Sequence, residues 1–332
     1  MEEKQITVKT SRERAHEVGR GRAATSPLQI PLTGLRDVFW RIYRGIWRDR
    51  VSANAAGAAF FLILAIVPAL AALVALSGLA GDPAHLRNQL DDLYGFVPPT
   101  LIELMDSELE RLIQQRTDIL SVTFVGTFAF AIYIVNSAVQ GLFDALNVIY
   151  GEREKRSFFK LYAVSLLFTF AGLIFVILLL NVVIGVPLVL GLFPLGPLAG
   201  WIVAILPSVA LFFVANIGIA FLYRYGPSRA AALWRWISPG SIAAATVWIA
   251  VSAAFSYYLT VFANYSATYG SLGAIAAAMM WAYISTFILL VGAELDAELE
   301  HQTARDTTVP PDRPLGRRGA VVADSVGQSR KE

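Results

Sequence analysis

Long stretches without charged residues divide this chain. No Asp, Glu, Lys or Arg occurs at positions 51–81, 119–143, 161–223 or 236–293. A helix needs about 20 apolar residues to cross a hydrocarbon core about 30 Å thick, so the two shorter stretches fit one crossing each and the two longer ones fit two. The pattern predicts an all-α membrane protein, residues 51–300, with six transmembrane helices at about residues 53–79, 119–143, 161–186, 198–222, 240–262 and 272–293.

The segments outside these crossings differ from one another. Residues 1–33 and 301–332 are polar, with glycine and proline interruptions, which predicts two disordered cytoplasmic tails. Residues 34–50 instead have the periodicity of an amphipathic helix. Its predicted apolar face carries Leu35, Val38, Phe39, Ile42, Ile46 and Trp47, and its polar face carries Asp37, Arg41, Arg44 and Arg48. We expect this helix to lie on the inner leaflet with Arg41, Arg44 and Arg48 toward anionic headgroups, although anchoring of the first crossing explains the same pattern.

The loop at residues 81–118 is long and acidic, with eight Asp and Glu against three Arg. Pro98 and Pro99 suit a helix start, and apolar residues recur behind them at three- and four-residue spacing. We predict two short amphipathic helices, one on each side of the proline pair, that form a cap on the outer face. Such a cap could act as a lid or binding surface, or as a packed connector.

The basic residues are distributed unevenly between the two sides of the membrane. With six crossings, one side collects 24 of the 27 Lys and Arg and the other collects three. Positive residues concentrate on the cytoplasmic side, so we expect a multi-pass membrane protein with both termini in the cytoplasm. The first 50 residues contain no apolar run long enough for a cleavable signal peptide.

Composition limits the chemistry. The chain is 56% hydrophobic, its mean hydropathy is +0.58, and it contains no cysteine, which excludes disulfides and thiolate metal sites. Its three histidines, His16, His85 and His301, are not within metal-ligand spacing of one another. No nucleotide-binding motif is present in its required context. We therefore expect no metal, no cofactor, no nucleic-acid partner and no enzymatic activity.

Polar residues inside apolar helices are the candidate functional residues, because such groups are costly in lipid. Prolines near the middle of a crossing are candidate hinges, here Pro68 and Pro207. The alternative explanation is ordinary hydrogen bonding between helices and, for the two acids, ion pairing at a helix end with arginines such as Arg224 or Arg235. The candidate translocation or polar-interior residues are Asn136, Gln140, Asn181, Asn216, Glu294 and Glu298.

Five segments carry a family resemblance. They are GAAFFLILAIVPAL from Gly57, ALNVIYGEREKR from Ala145, YRYGPSR from Tyr223, SPGS from Ser238 and YGSLGAIAAAMMWAYISTFILLVGAELDAEL from Tyr269. Together they resemble the YihY/BrkB family of bacterial inner-membrane proteins over about residues 35–300, except that Asp296 stands where this family usually has Asn. The resemblance implies six crossings of the cytoplasmic membrane. Members of this family have also carried a ribonuclease BN label.

Two classes of function remain. Mid-span prolines, polar amides and a carboxylate at the end of the last crossing favour a transporter, exporter or flippase for a small solute or lipid, with Asn136, Gln140 and Glu294 lining one cavity. The alternative is a non-transporting scaffold that organises partner proteins or lipids. Anionic membrane lipids are the expected partners in either case. Small residues at Gly273 and Ala277 also permit close helix contacts and a homo-oligomer.

Overall fold

The computed structural model describes residues 10–80, 99–114, 122–191, 199–261 and 272–330. A short 3₁₀ turn at Pro27–Gln29 precedes eight α-helices in these ranges. In chain order they are α1 (Leu32–Arg48), α2 (Val51–Ala80), α3 (Pro99–Gln114), α4 (Val122–Ile149), α5 (Phe158–Gly191), α6 (Ala199–Tyr225), α7 (Trp234–Val261) and α8 (Leu272–Glu300).

The membrane-spanning part is all-helical, as predicted. Helices α4 to α8 each contain a segment long and apolar enough to cross a bilayer. Helices α1 and α2 pass the same test together and are bent by 60° where they meet, so they count as a sixth candidate span. The bend follows Arg48, and Arg50 adopts a left-handed backbone with φ of 48°, a conformation that ends a helix. The expected all-helical membrane fold is therefore confirmed, with five candidate spans among the described residues, or six if the bent pair counts as one.

The spanning helices pack as a ring. Each contacts two neighbours in the order α2, α4, α5, α6, α7, α8 and back to α2, and α8 also contacts α4. Small residues bring some of these helices very close together. At Gly218 of α6, for example, a Cβ would lie 2.7 Å from the ring of Phe175 in α5. The ring places α8 at the junction of several elements, including α1, which contacts both α8 and α2.

The last helix continues beyond the predicted crossing. The charge-free stretch ends at Ala293, but α8 runs on to Glu300, and nearly every residue of this extension is buried. Helix α2 begins at the same end of the ring, and the described N- and C-terminal residues also pack there. We call this end of the ring the terminal end.

Helix α1 is observed, but its buried face differs from the prediction. Asp37 and Arg41 are buried, whereas Phe39 and Trp47 of the predicted apolar face are exposed. The placement of Arg41 on a lipid surface is therefore wrong. Periodicity alone could not show this, because the buried ions have partners from distant parts of the chain: Arg20 pairs with Asp37 and Glu298 pairs with Arg41.

The two tails are also ordered over their described residues, in contrast to the predicted disorder. Arg22 donates to the carbonyls of Gln302 and Gly327, and Arg41 donates to that of Gln328. Arg318 donates to the carbonyls of Ala304, Arg305, Arg313 and Ala323. Arginine can order a polar segment in this way because one guanidinium has five hydrogen-bond donors. These donors pair with backbone carbonyls that would otherwise have no partner in a segment with a small apolar core. Residues 10–30 and 301–330 thus form a layer against the terminal end of the ring, which we call the terminal layer.

Helix α3 confirms the predicted helix after the proline pair. Its buried residues Ile102 and Leu109 face the bundle, and the helix contacts α2, α7 and α8. The predicted helix before the proline pair lies outside the described residues. Whether the loop as a whole forms a cap therefore stays a prediction.

The connection between α4 and α5 contains a compact carboxylate site outside the spans. Glu154 accepts hydrogen bonds from the Arg156 side chain at 2.8 Å, from the Arg156 backbone N–H at 2.8 Å and from Asn147 Nδ2 at 3.1 Å. Hydrogen bonding and charge attraction from Arg156 lower the pKa of Glu154 to about 2, although partial burial opposes this shift. The ionised carboxylate therefore stabilises this connection.

Glu154 is expected to make stability depend on pH in the acid range. Because its folded pKa lies below its unfolded value of about 4.5, its contribution is complete above pH 4.5 and disappears as pH falls through about 2. In detergent at pH 7, the wild type should unfold at a higher temperature than Glu154→Gln. At pH 3 this gap between the two unfolding temperatures should become smaller. Glu103→Gln, which removes an exposed acid, should show no such gap. An unchanged gap at pH 3 would contradict this assignment.

Candidate functional site

Four carboxylates are buried in the last two turns of α8. Glu294, Asp296, Glu298 and Glu300 are each at most 3% exposed. Asp and Glu are almost never fully buried unless they are paired, so each group requires a partner or a role. Their surroundings differ, and they divide into two paired acids and two acids with unused oxygens.

Glu298 and Glu300 are the paired acids. Glu298 accepts from Arg41 Nε, and its other close neighbour is His301 Nδ1 at 3.6 Å. Glu300 accepts from Arg229 at 3.1 and 2.7 Å, a two-pronged contact, and from Thr307 Oγ1 at 2.8 Å. Buried pairs with this many hydrogen bonds hold α8 to α1, to the α6–α7 connection and to the C-terminal segment.

Tyr150 extends the Glu300 pair toward α4. The Arg229 guanidinium lies 4.9 Å from the centre of the Tyr150 ring. Burial raises the pKa of Tyr150 well above its ordinary value, and its hydroxyl has no hydrogen-bond partner among the described residues. This tyrosine therefore remains a neutral phenol packed under the guanidinium.

Asp296 is half satisfied. Its Oδ1 accepts from the backbone N–H of Gly240 in α7 at 2.6 Å, while its Oδ2 has no partner within the described part of the chain. The contact requires glycine, because a Cβ at position 240 would lie 2.5 Å from Asp296 Cγ and would overlap the carbonyl of Gly292. Gly292 is equally constrained, since a Cβ there would lie 2.7 Å from Ala244 Cβ. These two glycines allow α7 and α8 to cross in direct backbone contact.

Glu294 is the least satisfied of the four. Neither of its carboxylate oxygens has a hydrogen-bond partner among the described residues, and both are buried. It lies against Gly45 of α1 so closely that a Cβ there would overlap Glu294 Oε1. The nearest cation is Arg48, whose Nη2 is 3.8 Å away and donates to Asp49 at 2.7 Å. Glu294 is thus a buried carboxylate covered by one helix and approached by one cation that is shared with another acid.

The candidate amides lie at contacts between neighbouring helices. Asn136 accepts from Thr169 at 3.3 Å and Gln140 donates to Ser165 at 3.3 Å, both across α4 and α5. Asn216 donates to Ser241 at 3.4 Å across α6 and α7. The Nδ2 of Asn136 is buried without a partner in the described structure. The amides therefore follow the ring of helices, as the interhelical alternative predicts.

The structure does not join these amides to Glu294 in one site. Asn136 and Gln140 face α5, whereas Glu294 faces α1, so the expected cavity lined by all three is not formed by these contacts. Pro68 lies inside α2, and position 207 falls within the bounds of α6. The side chain of Asn181 lies outside the described residues. Gly273 and Ala277 are buried within the chain's own packing, so oligomerisation stays a prediction.

Several residues of the terminal end were not identified from the sequence as site residues. The expected partners of the acids were Arg224 and Arg235, but the observed ones are Arg41, Arg48 and Arg229. Arg224 instead donates to the carbonyl of Ala232 and lies 4.4 Å from the Trp234 ring. The available signal was the run of alternate acids from position 294 to 300, which places charge on two opposite faces of one helix, so that burial of all four requires more than one neighbouring element.

No group of three His, Asp or Glu side chains in the described ranges is arranged to hold a metal ion. Two of the four acids, Glu294 and Glu298, interact with α1, whereas Asp296 interacts with α7 and Glu300 with the α6–α7 connection, so the four do not converge on one point.

Known proteins provide the remaining information. The ribonuclease-like protein YfkH of Bacillus subtilis is 30% identical over 268 residues, which cover 74% of this chain and 89% of YfkH. A UPF0761 membrane protein of Tolumonas auensis is 25% identical over 79% of this chain and 83% of its own length. Another, from Halorhodospira halophila, is 25% identical over 76% of this chain, which spans only 55% of that relative. No solved structure matches this chain at a significant level. The profile of the virulence factor BrkB family matches residues 42–315, and the chain is therefore a membrane protein of the BrkB family.

Proposed function

We propose that this protein is a transporter, exporter or flippase for a small solute or lipid in the bacterial cytoplasmic membrane, with both termini in the cytoplasm. The observation that carries the proposal is Glu294, a buried carboxylate with no hydrogen-bond partner among the described residues, at the end of a membrane-spanning helix. An ionisable group kept in such a place costs stability, and in membrane proteins it typically marks a substrate or ion path.

The ring of helices supports the same proposal. Polar contacts occur at three helix pairs of the ring: Gln140 and Ser165 join α4 to α5, Asn216 and Ser241 join α6 to α7, and Trp248 and Ser285 join α7 to α8. Weak side-chain hydrogen bonds of this kind, between 3.0 and 3.4 Å, can exchange partners when helices move, at a cost of about 0.6 kcal/mol each. Such contacts would let the helices move against one another if the bundle rocks during transport.

Helix α1 would act as the cytoplasmic gate of this transporter. It covers Glu294 through Gly45, and it joins α2 at a 60° bend that provides a hinge. The other charged groups near this contact are Glu298, Asp49 and Arg48. Arrival of a proton or cation at Glu294 would change the charge balance with these groups, and so would change how firmly α1 closes the terminal end.

Ligand-induced stabilisation tests this proposal. We expect at least one phospholipid, compatible solute, amino acid or cation to raise the unfolding temperature of the purified protein in detergent. A ligand at 100 times its Kd stabilises by about 2.7 kcal/mol. Glu294→Gln is nearly isosteric and should abolish this shift while the protein still folds. Glu103→Gln, at an exposed position of α3, should retain it.

Reconstituted vesicles then supply the decisive measurement. Flux of the stabilising compound should be present in wild type and Glu103→Gln and at least tenfold slower in Glu294→Gln. Equal flux in all three would remove Glu294 from the mechanism, and absence of flux in every protein would contradict transport.

A scaffold is the second candidate, and the terminal layer favours it. A polar layer held by Arg22, Arg41 and Arg318 provides a fixed surface on which partner proteins could assemble. This candidate predicts copurifying proteins that are lost when exposed residues of the layer change, with no flux in vesicles.

We also propose that the protein has no ribonuclease activity. The name of YfkH refers to that relative, and the buried acids of this chain are used in helix contacts rather than presented to a polymer. Purified protein should leave RNA intact with or without added Mg²⁺, Mn²⁺ or Zn²⁺. Cleavage that is lost on substituting any of the four acids would overturn this part of the proposal.

A further inference from the structure

The face of α1 that points away from the bundle is aromatic and basic. Phe39, Tyr43 and Trp47 follow one another at four-residue spacing and are 64%, 66% and 72% exposed. Arg36 and Arg44 are exposed beside this aromatic stripe. At 100° per residue these five side chains span less than half of the helix circumference, so they form one surface, which we call the outer face of α1.

This outer face is not needed to hold α1 in place. The opposite side of the helix is already buried through Val38 and Ile42, and the Asp37 and Arg41 ion pairs attach it to the terminal layer and α8. Fixing a helix from one side while leaving three large rings exposed on the other side is costly in water. The rings therefore require an apolar or interfacial environment.

The position of α1 identifies that environment. The helix meets the spanning helix α2 at 60°, so it runs across the end of α2 and not along it. Tyrosine and tryptophan side chains concentrate at the membrane–water interface, and arginines beside them reach headgroup phosphates. Arg36 and Arg44 have no acidic partner in the described structure. Phosphate groups of phospholipids can supply the negatively charged partner that each arginine lacks.

We propose that the outer face of α1 binds anionic phospholipid headgroups, with Arg36 and Arg44 on the phosphates and Phe39, Tyr43 and Trp47 in the acyl boundary. Arg44 is oriented for this role because its guanidinium stacks 4.5 Å from the centre of the Trp40 ring, which leaves the donors at its edge free for a phosphate. Arg48 is not part of this site, because it donates to Asp49 through both Nε and Nη2. The proposal does not depend on whether the protein transports anything.

Titration of phospholipids into the detergent-solubilised protein tests the site. The probes are a short-chain phosphatidylglycerol, which is anionic, and a phosphatidylcholine of the same chain length, which is zwitterionic. Each arginine near an anionic surface contributes about 1 kcal/mol, which corresponds to about fivefold in affinity, so Arg36→Gln with Arg44→Gln should weaken phosphatidylglycerol binding by about 25-fold. Phosphatidylcholine binding should not change.

A matched control separates this site from the general effect of charge. Arg305→Gln with Arg317→Gln removes the same two charges from exposed positions of the C-terminal segment, and should leave phosphatidylglycerol binding at the wild-type level. Both double variants should unfold at the wild-type temperature in detergent alone, because all four side chains are exposed. Equal weakening in the two double variants, or none in either, would overturn the proposal.

Depth measurements test the aromatic part of the site. In bilayers that contain lipids brominated near the headgroup, wild type should lose more tryptophan fluorescence than Trp47→Phe, because Trp47 lies within reach of the bromines. Equal fractional quenching in the two proteins would show that Trp47 does not enter the lipid. A protein partner that protects Trp47 from quenching would likewise overturn the lipid assignment.

Discussion

Replacing Arg229 with methionine is expected to destabilise the protein by about 3–5 kcal/mol. The arginine makes two hydrogen bonds to Glu300, and the two side chains are 2% and 0% exposed. Removing one member of a buried pair leaves an uncompensated charge in a medium of low polarity, and that penalty exceeds the strength of the lost contact. Reversible unfolding in mixed micelles, followed by circular dichroism, measures the change.

The matched second variant distinguishes charge from packing. Adding Glu300→Gln to Arg229→Met removes the unpaired carboxylate charge. The glutamine can still accept a hydrogen bond from Thr307, so most of the lost stability should return. Arg235→Met removes an exposed arginine nearby and should cost less than about 0.5 kcal/mol. A double variant as unstable as Arg229→Met alone would mean that the arginine acts through packing rather than as a counter-ion.

The second large effect is expected at the crossing of α7 and α8. Gly240→Ala introduces a Cβ 2.5 Å from Asp296 Cγ and into the carbonyl of Gly292, where backbone atoms cannot yield as a flexible side chain would. Overpacking costs about 1–3 kcal/mol, and displacement of Asp296 from the Gly240 N–H adds the cost of a buried unpaired group, so the total should reach about 3 kcal/mol. Unfolding midpoints in the same micelles provide the measurement.

Glycines in open surroundings provide the control. A Cβ at Gly57 of α2 or Gly172 of α5 has no atom within 4 Å, so alanine there should be neutral or should stabilise the helix by up to about 1 kcal/mol. Similar losses at positions 57, 172 and 240 would indicate that flexibility, and not close helix contact, explains the requirement for glycine at position 240.

The parts of the fold that follow from hydropathy could be predicted from the sequence. Absence of charge over 20 or more residues constrains a helix in lipid so strongly that the spanning helices could be predicted directly. The end of α8 was not predictable in the same way. The charges at 294–300 suggested that the helix leaves the hydrocarbon core there and enters the headgroup region. Instead, their partners on α1, on the α6–α7 connection and in the C-terminal segment keep these side chains buried.

The terminal layer was beyond prediction for a related reason. Residues 301–330 have the composition of a disordered segment, and such a segment cannot fold by burying apolar area. Its order depends on arginines up to about 300 positions away, such as Arg22 with Gly327. The unexpected buried face of α1 has the same origin, because Arg41 is buried through its contacts with the distant residues Glu298, Gln302 and Gln328. Single-sequence periodicity contains no information about such distant pairs.

The separation between Arg22 and Gly327 also affects how the chain is made. The two residues are 305 positions apart, and at 5–20 residues per second a ribosome needs about 15–60 s to pass from one to the other. During that time the spanning helices enter the membrane, but the C-terminal carbonyls that Arg22 and Arg41 bind in the finished protein have not yet been synthesised. Helix α1, which Arg41 attaches to Glu298 and Gln328 near the other end of the chain, is thus among the last elements to reach its final position.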